Sequence, residues 1–141
     1  MRIRRLGPAL LLLTVVGCRS EVDELSSSHY MLGLLDRNWE TARKAVEADP
    51  PDFASFRAIQ ANLSGRVLAS VDDSYEGDNK QAVLTKLEAV TSAYKTRVLS
   101  LFDPNARVIR LRAGVTVAQF RQAFRETDKV YRELEALTEG A

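Results

Sequence analysis

The stretch TVAQFRQAFRETDKVYREL, Thr116 to Leu134, decides the fold class. Phe120, Phe124, Thr127, Tyr131 and Leu134 recur at intervals of four, three, four and three, and Val117 extends the series backwards. That rhythm lays one apolar stripe along a helix of 3.6 residues per turn, with charged residues on the other faces. Thr116 stands where an N-cap belongs, because its hydroxyl can accept a backbone N–H that the first turn leaves unpaired.

Working outward, three more segments carry the same period. Val83, Leu87, Val90, Tyr94, Val98 and Leu101 predict a helix that stops at Asp103-Pro104. Phe53, Phe56, Ile59, Leu63 and Val67 predict another, starting from Asp52 as N-cap. Residues Glu21 to Ala48 place Val22, Leu25, His29, Leu32, Trp39 and Val46 on a stripe widened by Leu35 and Ala42, ended by Pro50-Pro51. Gly33 or the Asp36-Arg37-Asn38 group offers a break within it. DDSYEGDN (Asp72 to Asn79) reads as a polar turn. Four amphipathic helices of roughly 20 residues joined by short turns predict an all-α domain, an antiparallel four-helix bundle.

One segment departs from that period. In ARVIRLRAGVTV (Ala106 to Val117), Ile109, Leu111, Ala113 and Val115 alternate with Val108, Arg110 and Arg112. Alternation is strand spacing. With no second clear strand in the chain, the stretch near 106–115 reads as an extended connection across the bundle, or as an edge for a partner strand. NWETARKAVEADPPD (Asn38 to Asp52) resembles the end of a tetratricopeptide unit, but the period of about 34 residues does not recur.

The other end of the chain speaks about location. Arg2, Arg4 and Arg5 precede an apolar run from Leu6 to Val16, too short for a span of about 20 residues. A basic start and short apolar middle form a secretory signal, removed in the mature protein. Val15-Val16-Gly17-Cys18 resembles the lipobox of bacterial lipoproteins. That resemblance implies diacylglyceryl transfer to the Cys18 sulfur, cleavage before Cys18, and acylation of the new amino terminus. Several acyl chains on one residue anchor firmly where one holds only marginally. Arg19 follows Cys18 where an inner-membrane retention signal often has Asp, which by the same resemblance favours the outer membrane, facing the periplasm. The expected organisation is therefore a signal peptide at 1–17, a lipidated Cys18 with its tether over 18–28, and the helical domain over 29–141.

Processing changes the charge. The full chain has 20 basic and 19 acidic residues, net +1; without Arg2, Arg4 and Arg5 the remaining 124 residues carry a net of −2. A near-neutral chain is no general nucleic-acid binder. Cys18 is the only cysteine, so no disulfide within the chain supports the fold.

The motifs exclude more than they select. His29 is the only histidine, which rules out a two-histidine metal site and leaves it a structural or cap-neighbour role. Asp72, Ser74, Glu76 and Gly77 mimic early positions of a calcium loop, but the bidentate twelfth position is Val83. EGDNKQA followed by SAYK resembles the last helix of a periplasmic haem-binding four-helix cytochrome. There the residue after the Ala-Tyr pair is the iron-ligating histidine; here it is Lys95. No cofactor, no metal and no enzymatic activity are expected.

Charge is distributed unevenly. Glu21 to Glu88 holds thirteen acids and seven bases, whereas Pro104 to Arg132 holds seven bases against Glu126 and Asp128. Such asymmetry steers an acidic partner, or it is satisfied internally. The expected partner surface comprises Arg107, Arg110, Arg112, Arg121 and Arg125, on a lipid-anchored binding or assembly factor of the cell envelope. An inhibitor, immunity or small-ligand-binding lipoprotein is the alternative.

Overall fold

The computed structural model describes residues 27–139, and over them the chain is helical. The expected signal peptide, Cys18 and the tether as far as residue 26 lie outside the described residues. Helix α1 (Ser28–Glu47) starts where the Ser27 hydroxyl accepts the Tyr30 N–H at 3.2 Å. It runs without a break through Gly33 and Asp36-Arg37-Asn38. Its buried stripe is Met31, Leu35, Trp39, Ala42, Ala45 and Val46. His29 is exposed in the first turn rather than part of that stripe.

The second rod is made of four pieces. Asp52 Oδ1 accepts the Ala54 N–H at 3.1 Å and caps a 3-10 turn, Phe53–Ser55. Helix α2 (Phe56–Ala61), a wide π turn (Asn62–Arg66) and helix α3 (Val67–Ser74) follow. The sequence explains the π turn. Ile59, Leu63, Val67 and Val71 are buried at successive intervals of four. In an α-helix each such step overshoots by about 40°, so three in a row carry the stripe off the core. A wider turn absorbs the excess. Gly65 leaves the helical region at φ 116°, which other residues avoid, so this turn is a kink between α2 and α3 rather than a regular π-helix.

Tyr75 to Asn79 turn the chain. The Tyr75 hydroxyl donates to Asn79 Oδ1 at 2.8 Å, and Asn79 Nδ2 donates to the Leu137 carbonyl at 2.7 Å. Helix α4 (Lys80–Ala93) then leads into a second π turn (Tyr94–Val98) and a 3-10 turn (Leu99–Leu101). The same cause operates: Val90, Tyr94, Val98 and Phe102 are all buried four apart. Helix α5 (Val117–Thr138), whose buried residues alternate threes and fours, needs no such correction. Its start is a full capping box: Thr116 Oγ1 accepts the Gln119 N–H at 3.1 Å, and Gln119 Oε1 accepts the Thr116 N–H at 2.9 Å.

Packing centres on Trp39, which is fully buried. Its ring stacks on Tyr131 at 4.2 Å between centroids and on Phe124 at 5.5 Å. Phe56 meets Phe120 and Phe124 edge-on, and Phe53 and Phe102 close the layer beyond. Each such ring contributes about 1.5–3 kcal/mol by leaving water. Residue numbers run in opposite directions along α1 and α5: Asp36 meets Tyr131, Arg43 meets Asp128, and Val46 meets Arg121. Lys86 meets Glu133 and Arg97 meets Glu126, so α4 and α5 run past each other in the same way.

The alternating segment is not a strand. It folds back on the residues that leave the 3-10 turn Leu99–Leu101 through a single antiparallel bridge, Phe102 with Leu111. Its alternation is nevertheless used: Ile109 and Leu111 pack on the core, while Val108, Arg110 and Arg112 are exposed.

Candidate interaction surface

The end of the molecule that carries the basic segment is built from the last turn of α1, the start of α2 and the loop from Asp103 to Val115. Residues 46–48 of α1 leave carbonyls without partners in the helix, as every helix C-terminus does. Arg121, one turn into α5, fills that need. Its Nε donates to the Val46 carbonyl at 2.9 Å and its Nη2 to the Ala48 carbonyl at 2.8 Å. A cation there also faces the negative end of the helix dipole. Arg125, one turn further along the same face, reaches Glu47 at 3.1 Å, with both side chains more than half exposed. Arg121 and Arg125 are thus brought together, but against α1.

The other three arginines lie on the loop. Arg110 Nη2 pairs with Asp103 Oδ2 at 3.2 Å and Arg112 Nε donates to the Ser100 carbonyl at 2.8 Å. The Arg107 side chain makes no ion pair among the described residues; its carbonyl accepts from Arg57 Nη2 at 3.4 Å. All three are exposed, as is Arg57. Between them Val108 is 75% exposed, more than any other large apolar side chain described. The Asn105 backbone N–H holds the Asp103 carboxyl below its ordinary pKa; burial opposes that, and Arg110 and Arg112 add to the lowering. Sequence reasoning missed Arg57, which enters this surface from the exposed side of α2.

A second polar cluster, also missed, lies halfway along α1 and α5. Asp128 Oδ1 accepts the Trp39 Nε1–H at 2.8 Å and Arg43 Nε at 2.9 Å. Arg43 further pairs with Glu40 and Glu135 and lies over the Tyr131 ring, 5.6 Å from its centroid. Burial opposes its charge, but bonds to Glu135, Glu40 and Asp128 more than offset that and push its pKa up. The signal for it was Arg43 four residues after Trp39, on the same helix face. Tyr131 completes the cluster by donating to Asp36 Oδ1 at 3.1 Å; burial first, then Asp36, raises its pKa. Every member of the cluster bonds another, so together they tie α1 to α5.

Two surface clefts lie elsewhere on the described residues. One, of about 760 Å³, lies at the opposite end of the molecule among Leu32, Asp36, Tyr75, Tyr131, Leu134 and Glu135. The other, of about 410 Å³, runs between the two π turns over Leu63, Leu68 and Leu87. Ser92 and Lys95 beside it match the Ser-x-x-Lys spacing of some serine nucleophiles, but both are exposed and no hydrogen bond joins them. His29 stands at the rim of the larger cleft. No helix of the described residues is long and apolar enough to cross a membrane, and no group of three or more metal-ligating side chains occurs among them. Comparison with family models, with curated proteins and with solved structures finds no match.

Proposed function

We propose that the chain is a lipid-anchored, periplasm-facing binding or assembly factor of a bacterial cell envelope, held at the outer membrane through Cys18. Its four rods form an antiparallel four-helix bundle that follows a cleaved signal peptide. The protein is non-catalytic and its mechanism is positional. The observation that carries this reading is the two-ended layout. The tether enters at Ser27, beside Ser74 and the last turn of α5, where Ser28 N–H donates to Ser74 Oγ at 2.9 Å. The arginine-bearing loop lies at the other end of α1, about 30 Å away for a helix of 20 residues. An anchor at Cys18 would hold the bundle by one end and present Arg107, Arg110 and Arg112 to a partner from the other.

Filled packing around Trp39 supports a docking surface over an internal carrier. Arg121 and Arg125 belong to the presenting end as its support, since they fasten α5 to the end of α1. The second reading, a small-ligand-binding or inhibitory lipoprotein, draws on the 760 Å³ cleft, whose acids Glu76 and Glu139 stand outside the Arg43 cluster and favour a cationic ligand.

Two measurements test the proposal. Metabolic labelling with an alkyne fatty acid should mark the wild type and not Cys18→Ser; equal labelling refutes the anchor. Crosslinking in cells should give a discrete partner band that disappears when Arg107, Arg110 and Arg112 are changed to Glu, while Arg125→Gln retains it. A band unaffected by the triple charge reversal refutes the docking surface.

A further inference from the structure

Antiparallel pairing alternates the direction of backbone groups, residue by residue. Around the Phe102–Leu111 bridge, Arg112 N–H donates to the Leu101 carbonyl at 2.8 Å and Asp103 N–H donates to the Arg110 carbonyl at 2.9 Å. Arg110 and Arg112 therefore turn their bonding groups inward, toward residues 101–103. Leu111 turns its N–H and C=O the opposite way, and by the two-residue period so does Ile109. None of these four groups has a hydrogen-bond partner among the described residues. The pleat sends the Ile109 and Leu111 side chains to the core and leaves Arg110 and Arg112 together on the solvent face. The result is a short unpaired backbone edge beside a single bridge, bordered by two cations on one face and by exposed Val108 at its start.

We infer that this edge receives an extended acidic segment of a protein partner by strand addition, its N–H and C=O groups bonding Ile109 and Leu111 and its acids meeting Arg110 and Arg112. The inference rests on reading this end of the molecule as the partner surface, and it names the partner's chemistry. An incoming strand places alternate side chains on the arginine face, so the matching pattern is acid–apolar–acid. Cross-strand pairs of opposite charge favour that occupant, and like charges directly opposite disfavour a second copy of this same edge. Asp103 Oδ2 pairs with Arg110 at 3.2 Å and its Oδ1 accepts the Asn105 N–H, so it offsets one charge of the patch and leaves Arg112, Arg107 and the neighbouring Arg57 without an ion pair among the described residues.

Fluorescence anisotropy with a labelled peptide of alternating Glu and Val, on the full chain in a non-ionic detergent, tests this. Two further peptides carry N-methyl groups on either the odd or the even amides. The parent peptide is expected to bind, one N-methyl register to bind about tenfold more weakly or worse, and the other to keep its affinity. Arg110→Glu with Arg112→Glu should abolish binding, and an alternating Lys and Val peptide should not bind. Equal affinity for both N-methylated registers overturns strand addition while leaving a charge-based docking surface intact. Absence of parent binding, or stronger binding to phosphatidylglycerol vesicles than to the peptide, overturns the acidic-strand partner. Loss of the cellular crosslink on arginine reversal belongs to the functional reading and does not depend on the register result.

Discussion

Asp128→Ala should be the most destabilising substitution of a polar residue in the molecule. The carboxylate is 14% exposed and serves three donors, Trp39 Nε1, Arg43 Nε and Arg132 Nε. Its loss strands the indole N–H of a fully buried tryptophan, which costs about 1–3 kcal/mol. Arg43 keeps Glu40 and Glu135, so its share falls below the roughly 3–5 kcal/mol of a wholly broken buried pair. The exposed Arg132 contact adds about 0.3–0.5 kcal/mol at most. Together the expectation is about 2–4 kcal/mol, a fall of roughly 10 °C in the thermal midpoint. Asp128→Asn retains an acceptor for Trp39 and should cost about half as much. Trp39 is the only tryptophan, so its fluorescence in a urea titration reads the site, with far-UV circular dichroism as an independent measure. A cost below about 0.5 kcal/mol for Asp128→Ala, or one no greater than for Asp128→Asn, would refute the reasoning.

Two glycines should respond in opposite directions to alanine. Gly33 sits inside α1, where a Cβ meets only Arg37 Nη1 at an ordinary 3.9 Å, so Gly33→Ala should stabilise by about 0.5–1 kcal/mol. Gly65 has open space but φ 116°, so Gly65→Ala should destabilise by about 1–2 kcal/mol; urea midpoints of the two variants check both signs. Alkali should unfold the protein. Burial raises the pKa of Tyr94 and of Tyr131, the latter helped by Asp36, so the neutral phenols favour the folded state. That stability is intact below the unfolded value of about 10 and is lost as pH rises above it. Tyrosinate absorbance should therefore show two phenols ionising together with loss of helix signal, and ionisation of all tyrosines in a still-helical chain would contradict it.

Much of this fold is written in intervals between apolar residues. The alternating threes and fours of Phe120 to Leu134 give α5, and Thr116 marks its start correctly. Runs of fours at Ile59 to Val71 and Val90 to Phe102 carry the two π turns, yet a reading that accepts threes and fours alike passes over them. The His29–Leu32–Trp39–Val46 series of α1 misplaces the stripe at its start. Each heptad step drifts by about 20° on a straight helix and the three-residue step from Leu32 back to His29 by about 60°, so His29 faces solvent while Leu35 and Ala42 take the core. For the Asp128 cluster the sequence offers only Arg43 four residues after Trp39, because its partners lie some 90 positions away on a helix face that looks merely charged. Alternation at Ile109 to Leu111 was legible, but its pairing partner, the exit of a helix at Leu101 to Asp103, carries no strand pattern of its own.

The charge asymmetry of the sequence resolves into two populations that composition cannot separate. A spacing of four puts Arg121 and Arg125 on one helix face, which from sequence looks like a concentrated external patch. That face meets the last turn of α1, where bare carbonyls, Glu47 and the negative end of the dipole already call for cations. Arg121 is therefore expected to support stability through charge-assisted bonds, at about 1.5–3 kcal/mol if replaced by methionine. Arg107, Arg110 and Arg112 leave the helices altogether and stand around an apolar tip and an open backbone edge, so their replacement touches little that holds the fold. A variant reversing all five charges would mix unfolding with loss of the proposed recognition. Reversing only the loop arginines separates the two, and the comparison with Arg121→Met in one denaturation series shows which population each residue belongs to.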